Sequence, residues 1–295
     1  MEASRKLYPE EFLRKYIAQG IRPDGRVLTR FRKPRITIGS VSTANGSCMV
    51  KLGNTTVIAG VKAELGPSAS GITPGEAGSA LTYASVPIPK PSDKHHRCNQ
   101  IAINVDLPPL CSPKFRGGRL PDEASVIAQR LNNLVSNGDL VPKDRLVFDE
   151  DGKFVWYLSV DMYCINYDGA AFDAFEIALI GALCDVTLCK GTVVDEDKGI
   201  FEKDEASESH LILSSVPIAS SFALFDQSLL ADPTSEEEAI MLASVSVVCD
   251  GKGTLFELSK PGGTPLDEKI IDSCVTLAVA RAASIEAILK DKLKK

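Results

Sequence analysis

The segment at residues 172–183 (FDAFEIALIGAL) limits the fold more than any other stretch of the chain. Its length suits a helix, nearly all of its side chains are apolar, and it carries no charge after Glu176. A helix that is apolar almost all round is buried on most sides. We therefore predict a helix here that other elements cover over most of its surface.

Two strand-to-helix units occupy the middle of the chain. Apolar residues recur at every second position over residues 101–107 and again over residues 154–164, which is the period of a half-buried strand. The first strand leads through a loop to a helix that begins at Pro121, a residue suited to the first helical position. The second strand leads through a turn into the apolar helix. Both units predict helices packed against sheets.

Residues 35–65 have the pattern of antiparallel strands. Asn45-Gly46 is a strong hairpin signal, and Gly53-Asn54 is a second break between strands. Ile58 is the exception to an otherwise regular alternation of apolar and polar residues after this break. We predict a set of hairpins at this end of the chain.

The last third repeats the order of hairpins followed by a helix. We predict that the acidic residues 195–208 form an exposed connection, and that strands lie near 210–230 and 243–249. Thr264 suits the cap of the last helix, and Pro265 suits its first position. The repeated order predicts an α+β fold with helices packed on mixed sheets.

Composition excludes several classes of protein. The chain has 295 residues, of which 44% are hydrophobic and 24% charged, as in ordinary globular proteins. No apolar run approaches the roughly 20 residues that cross a membrane, and the first residues lack the apolar core of a secretory signal. We therefore expect no membrane association and a cytosolic or nuclear protein. The eight cysteines are scattered, so we predict buried thiols, and we predict neither a metal nor a cofactor.

Charge is distributed unevenly along the chain. The net charge is −6, yet residues 1–35 contain ten lysines and arginines against four acidic residues. Arg22 and Arg26 flank a Pro-Asp-Gly turn, where each can reach a carboxylate or a phosphate. A basic surface of this kind suits either phosphate groups or an acidic protein partner. The sequence leaves both interpretations open.

The loop between residues 101–107 and the helix at Pro121 contains three basic residues, Lys114, Arg116 and Arg119, around Phe115. A basic loop with glycines that leads into a helix N-terminus can hold phosphate. The alternative is a solvated loop whose glycines only allow the chain to turn. We treat these three residues as candidate phosphate contacts and predict that Phe115 is a buried anchor.

Several short motifs follow one another along the chain. They are residues 22–26 (RPDGR), 46–47, 50–55 (VKLGNT), 105–111 (VDLPPLC), 167–169 (YDG), 222–226 (FALFD), 232–236 (DPTSE) and 260–263 (KPGG). No single motif is specific, but the ordered set spans nearly the whole chain. This set resembles the RNase PH-like subunits of the exosome ring, and the chain is identified from it as a member of this family.

The resemblance implies an RNase PH-like fold of the ribosomal protein S5 domain 2-like type. It implies one domain with two pseudo-repeated halves, about 21–190 and 191–295. Independently, the length and the Gly, Pro, Ser and Thr content of residues 66–98 predict a mobile loop insertion. The resemblance also implies a hexameric ring of RNase PH-like subunits, with S1 and KH cap subunits, a catalytic exosome ribonuclease and single-stranded RNA as partners. With this resemblance, Lys114, Arg116 and Arg119 become candidate RNA contacts. From this we expect a role in rRNA processing and mRNA turnover in nucleus, nucleolus and cytoplasm.

The resemblance also bears on catalysis. Active members cleave RNA with inorganic phosphate and need an arginine-containing phosphate loop before the buried helix and a late pair of aspartates. Here that loop is residues 168–173 (DGAAFD), without arginine or hydroxyl residues. Glu238 stands at the first carboxylate position, but Ser244 stands at the second, and a hydroxyl cannot replace a carboxylate as metal ligand or base.

We therefore expect a catalytically inactive ring subunit that scaffolds the exosome and helps guide RNA. The alternatives are an active phosphate-dependent 3′-to-5′ exoribonuclease of the same fold and a cytosolic interaction protein with no RNA role. The acidic run Glu236-Glu237-Glu238 suits a solvated turn better than a metal site.

Overall fold

The computed structural model describes residues 7–67, 100–116, 121–137, 140–149, 153–195, 200–226 and 228–293. Apart from residues 66 and 67, the predicted loop insertion at 66–98 lies outside these ranges. Among the described residues, no helix combines the length and the apolar character needed to span a bilayer.

The first sheet has five strands in the order β1-β2-β3-β5-β4. Its strands are β1 (Pro34–Ile38), β2 (Gly46–Leu52), β3 (Thr55–Pro67), β4 (Ile101–Asp106) and β5 (Phe154–Asn166). All neighbours are antiparallel except β4 and β5, which run parallel. This is the mixed sheet that the two strand-to-helix units predict.

Helix α1 (Pro9–Ile17) precedes this sheet, and α2 (Asp122–Asn137) follows β4. A short 3-10 helix (Lys143–Arg145) lies between α2 and β5. The side chain of Asn132 in α2 binds the backbone of Ile103, accepting from its N–H at 3.2 Å and donating to its carbonyl at 3.1 Å. Asn132 therefore takes the place of a neighbouring strand at the edge formed by β4.

Helix α3 (Ala171–Asp185) lies at the centre of the core, as its composition predicts. Every residue from Ala171 to Leu183 is buried. The sheet approaches it closely, because a Cβ at Gly181 would lie 2.5 Å from the sulfur of Cys48. A Cβ at Gly46 would lie 2.6 Å from the carbonyl oxygen of Ala182. Both glycines allow strand and helix to meet without a side chain between them.

The rest of the chain forms a second sheet and a hairpin. The second sheet, in the order β11-β10-β8-β9, contains β8 (Ile218–Phe225), β9 (Ser228–Ala231), β10 (Ala243–Cys249) and β11 (Leu255–Ser259). The hairpin pairs β6 (Thr187–Asp195) with β7 (Ile200–His210). Helix α4 (Ser235–Glu238) links β9 to β10, and α5 (Glu268–Leu293) contacts β8, β10 and β1. The fold is the predicted α+β arrangement of helices on mixed sheets.

Three local predictions were wrong. Residues 200–210 are strand β7, not an exposed connection, because their backbone pairs with β6, which periodicity within the segment cannot reveal. Helix α5 begins at Glu268, because the N–H of Thr264 binds the carbonyl of Leu242 at 3.4 Å and holds that stretch outside the helix. Asn45-Gly46 ends a longer loop, since the side-chain oxygen of Asn45 accepts the N–H of Ala63 at 2.9 Å.

The described cysteines are mostly buried thiols, as predicted. Cys48, Cys111, Cys164, Cys249 and Cys274 are buried, and Cys184 and Cys189 are half-buried. Burial raises the pKa of Cys48 to about 12. Such thiols are poor nucleophiles at neutral pH.

Candidate functional site

The loop that joins β5 to the buried helix α3 lies where the two sheets meet. Gly169 and Ala170 both have positive φ, at 74° and 47°. A Cβ at Gly169 would lie 2.5 Å from the carbonyl oxygen of Pro233, so the loop packs directly on the turn before α4. Thr55 of β3 holds the loop from the other side, accepting from the N–H of Asp168 at 3.0 Å and donating to the carbonyl of Gly169 at 2.8 Å.

Glu238 lies against this loop. Its carboxylate accepts the backbone N–H of Ala170 at 2.8 Å and the hydroxyl of Tyr167 at 2.8 Å. Burial raises the pKa of Glu238, although these two hydrogen bonds and the nearby Lys114 act in the opposite direction. Burial and the neighbouring carboxylate also raise the pKa of Tyr167. The N–H group at the start of α3 therefore already has an acidic partner from the same chain.

The arginine at position 32 reaches the loop, but carboxylate and carbonyl groups surround it. Arg32 donates to the carboxylate of Asp232 at 2.6 and 2.8 Å and to the carbonyl of Asp168 at 2.9 Å. Burial opposes ionisation of Asp232, yet the hydrogen bonds from Arg32 hold its pKa below the usual value. Arg32 thus ties the loop to the end of β9.

The two arginines of the RPDGR motif also bind within the chain. Arg22 is fully buried and forms an ion pair with Glu237. Arg26 pairs with Asp24 at 2.5 Å and donates to the carbonyl of Asp232 at 3.1 Å. Of the two interpretations that the sequence left open for this motif, the structure shows carboxylate binding.

The prediction of a solvated acidic turn at residues 236–238 was wrong for two of the three residues. Glu236 is exposed, but Glu237 is 4% exposed and pairs with Arg22. Glu237 also accepts the N–H of Thr234 at 2.8 Å, as part of the capping box of α4. Within the described ranges, no group of histidine, cysteine and acidic residues is arranged to hold a metal ion.

The three candidate RNA contacts differ in their surroundings. Lys114 pairs with Glu123 of α2 at 2.5 Å, while both side chains stay about half exposed, and its ammonium lies 5.5 Å from the ring centre of Tyr167. Arg116 is exposed. Arg119 lies outside the described residues. Phe115 is 6% exposed and packs edge-on against Tyr167 at 5.3 Å, which confirms its predicted role as an anchor.

The sequence did not predict the surroundings of Phe172 and Ser244 in the site. Phe172 is covered by the guanidinium of Arg130, 3.7 Å from its ring centre, and Arg130 also donates to Glu257 at 2.8 Å. Ser244 lies in β10 opposite Ala223 and brings a hydroxyl group to that strand. Tyr167 was visible in the sequence as part of a motif, but nothing in the sequence indicated that it binds Glu238.

Comparisons with known proteins agree with the sequence motifs. The profile of the 3′ exoribonuclease family, domain 1, matches residues 30–188, and the profile of domain 2 matches residues 215–281. The exosome complex component rrp43 of Schizosaccharomyces pombe is 31% identical, over 93% of this chain and 92% of that protein. The exosome complex component Rrp42 of Methanopyrus kandleri is 28% identical, over 94% of each.

Solved structures show the same fold. A chain of the Archaeoglobus fulgidus exosome with RNA bound to the active site superposes with a TM-score of 0.72 at 24% identity, covering 94% of this chain and 96% of that chain. A chain of an archaeal exosome core gives a TM-score of 0.68. The predicted RNase PH-like fold is confirmed, as is the resemblance to exosome subunits, with ribosomal RNA-processing protein 43 among the similar proteins. The chain belongs to the 3′ exoribonuclease family of RNase PH-like proteins and contains both of that family's domains.

Proposed function

We propose that this chain is a non-catalytic RNase PH-like subunit of an exosome ring. In this role it scaffolds the complex and helps guide single-stranded RNA for 3′-to-5′ processing and degradation. Support comes from relatives in fission yeast and archaea that are exosome complex components and that match over more than 90% of both chains. The match over the whole length favours a shared place in an assembly over a shared short motif.

The proposal that the subunit is non-catalytic rests on the phosphate loop and the carboxylate pair. Residues 168–173 contain no arginine or hydroxyl residue, and Ser244 stands at the second carboxylate position. Glu238, at the first position, already binds the N–H of Ala170 at the start of α3, so that donor is not free for phosphate. Arg32, which donates to the carbonyl of Asp168 in this loop, already binds Asp232.

An assay of phosphorolysis tests this part of the proposal. The purified chain is incubated with single-stranded RNA with and without inorganic phosphate, and release of nucleoside diphosphates is measured. We expect no phosphate-dependent release. Release that requires phosphate and disappears in Glu238→Gln would instead establish the alternative, an active phosphate-dependent exoribonuclease.

We further propose that the loop at 112–119 lies along the RNA path. Contacts to phosphates should dominate, because cationic side chains neutralise backbone phosphates whatever the base sequence. For single strands, log affinity falls with log salt at about −0.7 per phosphate neutralised. Replacing Arg116 and Arg119 together by Ala should therefore flatten the salt slope of the assembled complex by roughly 1.4. An unchanged affinity and slope would remove the loop from the RNA path.

The proposed partners are other RNase PH-like subunits in a six-membered ring, S1 and KH cap subunits and the catalytic exosome ribonuclease. The proposed locations are nucleus, nucleolus and cytoplasm. Native mass spectrometry of the complex purified through this chain tests the partners, and imaging of a tagged chain tests the locations. Purification without any RNase PH-like subunit would favour an interaction protein with no RNA role.

A further inference from the structure

The outward face of the first sheet carries a strip of apolar side chains. Tyr163 is 50% exposed and Ile165 is 47% exposed, whereas Met162 and Cys164, on either side of Tyr163, are buried on the opposite face. Met49 and Ile58 are partly exposed on the same face. Ile58 is the residue that breaks the alternation of β3 in the sequence. We call these four residues the outer strip.

Strand register makes the outer strip continuous across three strands. Met49 of β2 lies opposite Ile58 of β3, and Ile58 lies opposite Tyr163 of β5. Directly opposed residues on one face have Cβ atoms about 4.5–5.5 Å apart, so these side chains touch. Ile165 extends the strip along β5, at the point where the pairing of β3 and β5 shifts by one residue. Contiguous exposed apolar surface of this kind typically marks an interaction site.

Two basic residues border the outer strip. Arg35 of β1 lies directly opposite Lys51 of β2, and both are exposed. Like charges placed opposite each other on neighbouring strands destabilise a sheet. Neither residue forms an ion pair with any other residue that the structure describes. The pair therefore lacks the acidic neighbour that would offset its repulsion.

The charged side chains in the other half of the same face already have partners within the chain. Lys62 pairs with Glu64 at 2.6 Å, and the amide of Asn104 donates to Asp161 at 3.0 Å. That half also contains residues 67 and 100, which bracket the undescribed segment 68–99. Pro67 pairs with Phe154, and the carbonyl of Gln100 accepts the N–H of Leu158. The apolar strip and the unpaired cations thus lie together at the opposite end.

We propose that the outer strip, with Arg35 and Lys51, docks an acidic protein partner. Three of its four side chains are aliphatic, which favours the apolar core of a protein interface over a base-stacking surface built from several aromatic rings. The partner presents apolar side chains to the strip and carboxylates to Arg35 and Lys51. This inference rests on the proposed function, because it takes the partner to be another subunit of the assembled complex.

A photo-cross-linking experiment tests the location. Benzoylphenylalanine replaces Tyr163, and in a matched control it replaces Ala102, which is exposed on the same face in that other half. In the assembled complex, position 163 should cross-link to a protein segment that carries carboxylates, while position 102 should not. A cross-link to RNA, to residues 68–99 of the same chain, or to no protein in an assembled complex would overturn the inference.

Charge reversal tests the chemistry. Arg35→Glu with Lys51→Glu should weaken incorporation into the complex by about tenfold, since reversed charges oppose the partner's carboxylates. Lys62→Glu, on the same face but paired with Glu64, should leave incorporation unchanged. Lysine substitutions at the acidic residues of the cross-linked partner should restore incorporation of the double variant into the complex. A failure to restore it would contradict the inference. If the wild-type chain assembles with no RNase PH-like subunit, the proposed function is contradicted as well. If the chain assembles but the cross-link and the effect of charge reversal are absent, the inference alone is contradicted.

Discussion

The carboxylate of Glu176 in α3 accepts the backbone N–H of Ala219 in β8 at 2.5 Å, although both residues are fully buried. One turn earlier, Asp173 accepts the N–H of Ser221 at 3.0 Å. Strand β9 pairs with β8 only from Phe222 onward, so these two N–H groups have no strand partner on that side. The two acids of the central helix therefore complete the edge of β8 and join the first sheet's helix to the second sheet.

This arrangement predicts a clear difference between two substitutions of Glu176. Glu176→Ala leaves the N–H of Ala219 buried without an acceptor and should lower the free energy of unfolding by about 1–3 kcal/mol. Glu176→Gln keeps a carbonyl acceptor of the same shape and should cost less than about 1 kcal/mol. Urea denaturation of the purified variants measures both. Equal destabilisation by alanine and glutamine would show that the hydrogen bond contributes little.

Glu176 also predicts a pH dependence of stability. Burial raises its pKa well above the usual value, while its hydrogen bond from Ala219 acts in the opposite direction. Between the unfolded pKa of about 4.3 and the higher folded pKa, the native state binds more protons than the unfolded state. The stability contributed by the protonated group is thus fully present at low pH and is lost as pH rises through this window.

The measurement is the difference in unfolding free energy between the wild type and Glu176→Gln, taken from pH 4 upward. The wild type should lose stability relative to the glutamine variant, with a slope of at most about 1.4 kcal/mol per pH unit. A difference that is constant with pH would mean that Glu176 has the same pKa in both states.

The ion pair between Arg22 and Glu237 predicts a large effect from removal of one partner. Both side chains are buried, and Arg22 also donates to the carbonyls of Ala231 and Asp232. Arg22→Met leaves a buried carboxylate unpaired and should destabilise the chain by about 3–5 kcal/mol. Adding Glu237→Gln should recover part of this loss. The comparison is made by thermal unfolding, and an Arg22→Met variant as stable as the wild type would contradict it.

The pair between Lys114 and Glu123 predicts a gain in RNA binding. Because Glu123 lies 2.5 Å from the ammonium of Lys114, it competes with phosphate for that charge. Glu123→Gln should strengthen binding of single-stranded RNA by the assembled complex and steepen its salt slope by about 0.7. Glu64→Gln, which frees Lys62 on another surface, is the control for net charge. Equal effects of both variants would indicate a general charge effect and not a contact at Lys114.

The sequence predicted those elements whose pattern is local. The buried helix α3, the alternating strand β5 and the helix after Pro121 all depend on periodicity within a few residues, and all are present. Strand β7 was not predicted, because it depends on pairing with β6 and not on a pattern within its own residues. The site was harder to predict because its contacts join distant residues: Arg32 and Asp232 are 200 positions apart, and Ala170 and Glu238 are 68 apart. Only the family resemblance placed such residues near one another.

The central claim is that this chain performs no phosphorolysis, because the loop before α3 has no arginine or hydroxyl residue for phosphate and Ser244 stands at the second carboxylate position. The most direct test is the yield of nucleoside diphosphates from single-stranded RNA, measured in phosphate on a reconstituted complex whose hydrolytic ribonuclease is inactivated. Complexes that contain the wild-type chain or Glu238→Gln should give the same yield, because this subunit contributes none. A phosphate-dependent yield that falls when Glu238 alone is changed would contradict the account.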